Sequence, residues 1–256
     1  MLIKEETWSD IPLLHIVEKE YENQEAPVAI FLHGFTSAKE HNLHYAYNLA
    51  KQGIRVILPD AHLHGVRTEN LDEIELSLRF WEIVMTTIEE VSLLHKELKT
   101  RGLVKTAKIG VGGTSMGGIS TLGSLTIYDW IDASMLMMAT PGFVELSKAQ
   151  MNEFEARGFE LPVTDEEKNQ LLDQLSMFDL TKNRAALKNR PLYFWHGQRD
   201  PVVPYAPTYK FYESIKDSYA DQPGKLVFVS DKVAGHAVTR PGLLDAVNWL
   251  ASQLNE

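Results

Sequence analysis

Six short apolar runs are separated by stretches of helical periodicity, and this alternation constrains the chain more than any other feature. The runs are "PVAIFL" (27–32), "IRVILP" (54–59), "AKIGVGG" (107–113), "ASMLMMA" (133–139), "PLYFW" (191–195) and "KLVFVS" (225–230). Strands covered on both faces read as continuous aliphatic runs instead of alternating ones. Strands that alternate with helices build parallel βαβ units. The expected class is therefore α/β, with a doubly wound, mostly parallel sheet. "EETW" and "PLLHIVE" near the start predict an antiparallel hairpin at one edge, which brings the sheet to about eight strands. A chain of 256 residues can bury a substantial core. No internal repeat or low-complexity segment interrupts it, so residues 1–256 read as a single domain.

Between the strands, Ser37 and Glu40 have the spacing of a capping box, predicting a helix from there to about Lys51. Phe80, Val84, Val91 and Leu98 recur at helical spacing in one long helix from roughly Leu71 to Lys99. Leu243, Val247, Leu250 and Leu254 do the same behind Pro241. One connection is too long for an ordinary link. From Pro141 to Arg190 the chain turns polar yet keeps Phe143, Leu146, Phe154, Leu171, Leu172, Leu175, Met177 and Phe178, and Thr164 with Glu167 forms another capping box. Long ordered insertions in compact domains usually serve function, so 141–190 is expected to be a helical cap over the strand ends; packing beside the sheet is the alternative.

Composition narrows the chemistry. With no cysteine there is no disulfide, thiolate nucleophile or thiolate-bound zinc. A formal net charge of −10 argues against nucleic acid or anionic membrane as a partner and favours a small, neutral or weakly charged substrate. No run is long enough to cross a bilayer, and the acid-bearing start "MLIKEETWSDIPLLHIVEKE" lacks the pattern of a secretory signal. A cytoplasmic location is expected. Whether the chain forms a homo-oligomer is not legible.

Gly113-Thr114-Ser115-Met116-Gly117 satisfies G-x-S-x-G between an expected strand and an expected helix. In that context the glycines relieve crowding at a strained turn that lifts the serine hydroxyl above the sheet. Gly118, Ser120, Gly123 and Ser124 would let the helix lie close to the sheet. A serine needs a positioned base. Among nine histidines, His236 in "VAGHAVTRPG" follows the last expected strand and can reach across the strand ends. Asp200 in "HGQRDPVVP" is the choice for the orienting carboxylate, with Asp179 and Asp231 as rivals. The order Ser115, Asp200, His236 is that of an α/β-hydrolase triad. For the oxyanion, "HGFTS" (33–37) and the helix start suggest the amides of Phe35 and Met116.

Together "HGFTS", "GTSMGG", "HGQRDPVVP" and "AGHAVTRPG" resemble the α/β-hydrolase superfamily over almost the whole chain. They are most similar to the branch of dienelactone-hydrolase-like, prolyl-oligopeptidase-like and bacterial carboxylesterase or cinnamoyl-esterase enzymes. The resemblance implies the α/β-hydrolase fold, Ser115 as nucleophile, Asp200 orienting His236, and an oxyanion amide after the first His-Gly. A serine where dienelactone hydrolases carry cysteine shifts the expectation to esterases.

"PDAHLHGVR" (59–67) holds His62 and His64 at a spacing that could bind metal, but no Asp-His follows as a dinuclear site would require. It matches the superfamily's loop after the second core strand, so neither metal nor cofactor is expected. "EHNLHYAYNLA" (40–50) reads either as an acyl-pocket wall or as a core-facing stripe. The expected activity is hydrolysis of small carboxylic esters through an acyl-enzyme. Peptidase or acyl-peptide hydrolase, thioesterase, lactonase and a non-catalytic binding protein on the same fold are the alternatives.

Overall fold

The computed structural model describes residues 1–159 and 162–256. Among them one eight-stranded sheet runs in the order β1-β2-β4-β3-β5-β6-β7-β8. Its strands are β1 (Leu2–Trp8), β2 (Ile11–Val17), β3 (Val28–Leu32), β4 (Arg55–Pro59), β5 (Ile109–Thr114), β6 (Ala133–Met137), β7 (Leu192–Gly197) and β8 (Leu226–Asp231). β2 lies antiparallel to β1 and to β4, and from β4 to β8 the sheet is parallel. The hairpin is closed by Ser9 and Asp10, both at positive φ, the conformation a tight right-twisted turn demands. All six expected core strands form, and so does the edge hairpin.

From β2 to β8, alternate residues of the strands feed two different cores. Val28, Ile30, Leu32, Ile57, Val111, Leu136 and Phe194 point to one face, where they meet α3 (Phe80–Thr100), α4 (Met116–Ile127) and α7 (Tyr205–Ile215). Ala29, Phe31, Val56, Leu58, Met135, Tyr193 and Trp195 point to the other, against α1 (Leu43–Ala50) and α8 (Arg240–Asn255). Burial on both faces is what makes the strand sequences continuously apolar. The second wall also decides what "EHNLHYAYNLA" does: Tyr45 is 1% exposed and its ring stacks on Phe31 at 4.4 Å. That helix is a core stripe and lines no acyl pocket.

Two expected helices are corrected. The stretch from Leu71 to Lys99 is two helices, α2 (Glu73–Leu78) and α3, broken at Arg79. Asp72 caps α2, accepting from the Ile74 and Glu75 amides while the Glu75 carboxylate accepts from the Asp72 amide. Ser37 and Glu40 form no capping box. The Ser37 hydroxyl faces His41 Nδ1 at 3.1 Å, and a short 3₁₀ turn (Lys39–Asn42) precedes α1.

Between β6 and β7 the chain adds α5 (Phe143–Ala156) and α6 (Asp165–Met177). The Thr164–Glu167 capping box opens α6 as expected, and Asp179 closes the excursion by accepting from the Val144 amide at the start of α5 at 3.0 Å. Among the described residues no helix is long and apolar enough to cross a membrane.

Candidate active site

The chain leaves β3 towards β4 and leaves β5 towards β6, on opposite sides, although β3 and β5 are direct neighbours. Diverging connections open a crevice beyond the carboxyl ends of such a pair, where open α/β sheets bind ligands. Ser115 follows β5 and Phe35 follows β3, so both stand at that crevice.

At the end of β5 the backbone turns sharply. Ser115 sits at φ 51°, ψ −116°, a strained conformation for a residue with a side chain. The flanking glycines are required by space: a Cβ on Gly113 would fall 2.5 Å from the Gly117 carbonyl carbon, and one on Gly117 would fall 2.2 Å from the Leu32 oxygen. α4 then presses against its neighbours. Gly118 leaves no room for a Cβ beside Ala139, and the hydroxyls of Ser120 and Ser124, both fully buried, donate to carbonyls one turn back in the helix.

Three side chains from three loops meet here. The Ser115 hydroxyl lies 2.9 Å from Nε2 of His236, and Nδ1 of His236 lies 2.7 Å from Oδ2 of Asp200. If Nδ1 donates to the carboxylate, Nε2 carries the lone pair and the serine hydroxyl donates to it. Asp200 is fully buried while His236 keeps 21% of its side chain exposed. Burial alone would raise the Asp200 carboxyl. Donors from His196, His236 and the amides of Val203 and Val202 outweigh it and hold the group well below the usual carboxylate range. The two rival aspartates are occupied elsewhere: Asp179 caps α5, and Asp231 accepts from the Val233 and Ala234 amides at the base of the His236 loop.

The loop after β3 is held against this centre by the loop after β4. Nε2 of His33 accepts from the Ala61 amide at 3.0 Å, Nε2 of His64 accepts from the Thr36 amide at 3.0 Å, and Oδ1 of Asp60 accepts from the Lys39 amide at 2.9 Å. The other imidazole nitrogens donate to the carbonyls of Gly34 and His62, so both rings are needed neutral. Burial lowers both, His33 to about 4. Among the described residues the Phe35 and Met116 N–H groups have no acceptor in the protein, and a Cβ on Gly34 would lie only 3.6 Å from the Ser115 Cβ. With both imidazole nitrogens of His64 engaged, no lone pair is left for a metal, and no cluster of three or more metal-binding side chains occurs among the described residues.

Above Ser115 lies a cavity of about 240 Å³. Phe35, Phe80, Ile119, Phe154 and Val203 make its walls apolar, and every contribution from the 141–190 segment comes from α5 and Arg157 just beyond it. Its volume is below the roughly 300–1,000 Å³ usual for drug-sized ligands, so a small group fits.

Sequence reasoning missed His196, His33 and His64 as supports of the site. The signal was present in the repeated His-Gly pairs, at the carboxyl end of a strand or in the loop beyond it, and in the four-residue spacing of His196 and Asp200.

Comparison with known proteins agrees with this architecture. The model of the prolyl oligopeptidase family matches residues 83–255. A Bacillus subtilis (strain 168) protein named "Putative esterase YitV" is 47% identical over 252 residues, covering 98% of this chain and 99% of that protein. "Esterase YjfP" of Escherichia coli (strain K12) is 28% identical over 249 residues, covering 90% of this chain and 94% of its own. Among solved structures, TT1662 from Thermus thermophilus superposes with a TM-score of 0.77 at 20% identity over the whole of both chains, a likeness of fold.

Proposed function

The chain belongs to the prolyl oligopeptidase family, and from that premise we propose that it is a serine carboxylesterase of small carboxylic esters, with Ser115, His236 and Asp200 as its catalytic triad. The observation that carries the reading is the unbroken hydrogen-bonded line from the Ser115 hydroxyl through His236 to the buried Asp200.

His236 Nε2 takes the Ser115 proton as the oxygen attacks the ester carbonyl, and Asp200 steadies the imidazolium that forms. The carbonyl oxygen, now negative, receives the Phe35 and Met116 N–H groups, each donor contributing about 3 kcal/mol to the transition state. α4 begins at Met116, so its positive end adds to the same field. His236 passes its proton to the departing alcohol, leaving an acyl-Ser115 ester. Water then loses a proton to His236, attacks that ester, and the acid departs with Ser115 restored.

Esters are favoured over peptides because YitV and YjfP, which match this chain over nearly their whole lengths, carry esterase names, and because the small apolar cavity suits a short acyl group. The family name supports a peptidase as the second reading. Intact-mass measurement after a fluorophosphonate probe should add one label, lost in Ser115→Ala. Turnover of p-nitrophenyl esters far above that of aminoacyl anilides and acyl thioesters is expected; the reverse preference would move the assignment to a peptidase or thioesterase. Absence of a label on native Ser115 would overturn the mechanism.

A further inference from the structure

One polar side chain in the apolar cavity is held in a fixed orientation by a residue outside the catalytic line. Gln150 projects from α5 into the cavity that contains Ser115. Its Oε1 accepts from the indole Nε1 of Trp81 at 2.8 Å. An indole nitrogen only donates, so the atom facing it must be the amide oxygen. Trp81 is itself 7% exposed and braced by Phe80 and Phe143, with ring centroids 5.2 and 5.3 Å away. The clamp leaves the amide NH₂ as the end of Gln150 free for other partners, and among the described residues that NH₂ has no acceptor. Ser77, also on the wall, spends its proton on the Glu73 carbonyl at 2.7 Å. The remaining charged groups at the cavity, Glu153 and Arg157, pair with each other.

From this arrangement we propose that Gln150 is a specificity-determining residue: its clamped NH₂ recognises a neutral hydrogen-bond acceptor, a ketone, ether or amide oxygen, on the acyl group beyond an apolar segment next to the scissile carbonyl. The inference rests on the esterase reading for its placement on the acyl side, since the acyl group stays bonded to Ser115 in the cavity through both steps. The apolar walls take the hydrocarbon segment, the NH₂ donates to the oxygen, and among the described residues the cation at the wall, Arg157, is paired with Glu153, so the position favours a neutral acceptor over a carboxylate.

The test uses a ladder of p-nitrophenyl keto esters, the ketone moved outward one carbon at a time, each against its methyl-branched hydrocarbon isostere. At one rung the wild-type ratio of kcat/KM, ketone over hydrocarbon, should exceed that of Gln150→Leu roughly three- to tenfold, the scale of one net hydrogen bond. Trp81→Phe, which removes the clamp and keeps an aromatic ring, should lower the same ratio in part. Calorimetric binding of the same pairs to Ser115→Ala and to Ser115→Ala/Gln150→Leu carries the comparison without turnover. The esterase reading can then fail on catalysis while this one stands on affinity, and the reverse. Equal ratios in wild type and Gln150→Leu at every rung, in turnover and in binding, would overturn the proposal.

Discussion

Nε2 of His64 accepts the Thr36 amide at 3.0 Å while Thr36 sits at φ 58°. An imidazole delivered by the loop after β4 thus fixes a left-handed turn in the loop after β3, one residue beyond the Phe35 amide. His64→Ala should lower kcat about tenfold or more with little change in KM, because in the proposed mechanism the turn positions a group that acts chiefly in the transition state. Inhibition by a trifluoromethyl ketone should weaken in parallel, and His64→Gln, which can still accept, should recover part of both. A rise in KM alone, with ketone inhibition untouched, would assign His64 a different role.

Asp200 receives the His236 imidazole and two backbone amides on its carboxylate. Asp200→Asn turns an acceptor into a donor at Nδ1 and forces the wrong tautomer on the ring. The expected loss in kcat is about 10⁴-fold, with near-normal KM, in steady-state assays with a p-nitrophenyl ester. Retention of wild-type kcat would remove Asp200 from the triad.

Lys39 Nζ and Asp60 Oδ2 form an ion pair at 2.8 Å with side chains 4% and 0% exposed. Lys39→Met leaves a buried carboxylate without its cation, and the expected destabilisation in urea is about 3–5 kcal/mol. Gly65 belongs to the same knot: at φ 55° its Cβ position lies 2.1 Å from Asp60 Oδ1, so Gly65→Ala should also be severely destabilising. The double variant Lys39→Met/Asp60→Leu should be more stable than Lys39→Met alone.

Burial holds His33 at about 4 in the folded protein against an ordinary value of 6.5. As pH falls the unfolded chain takes up this proton first. The contribution is therefore intact above pH 6.5 and is lost between about 6.5 and 4, up to about 3 kcal/mol. His95, stacked on Trp130 at 4.0 Å and also lowered to about 4 by burial, loses stability in the same window. Urea midpoints measured from pH 7 to 5 should fall less steeply in His33→Gln than in wild type, and identical slopes would contradict the assignment.

The central strands were legible because they are buried on both faces, and the serine turn was legible because no residue but glycine fits at 113 or 117. What escaped the sequence depends on contacts between distant segments. The Ser37–Glu40 pattern gave no capping box because the Ser37 amide already donates to the Gly34 carbonyl and its hydroxyl faces His41, while the loop is drawn to Asp60, 21 positions from Lys39. The apolar periodicity of Phe80, Val84, Val91 and Leu98 predicts one helix from roughly Leu71 to Lys99, with no sequence mark at Arg79, yet α2 and α3 part there. The orientation of the Gln150 amide is set by Trp81, 69 positions earlier, and no local pattern carries that information.

β6 and β7 pair directly, Ser134 with Leu192 through Met137 with Trp195, and the whole of α5 and α6 lies in the connection between them. The segment can accordingly be exchanged for another of different length without breaking a single rung of the sheet, provided the replacement again supplies apolar plugs where Phe143 and Leu187 sit, 0% and 2% exposed. With the proposed active site, substrate choice and the catalytic frame become physically separable, and a library built only in that stretch should sample new selectivities on an unchanged chassis.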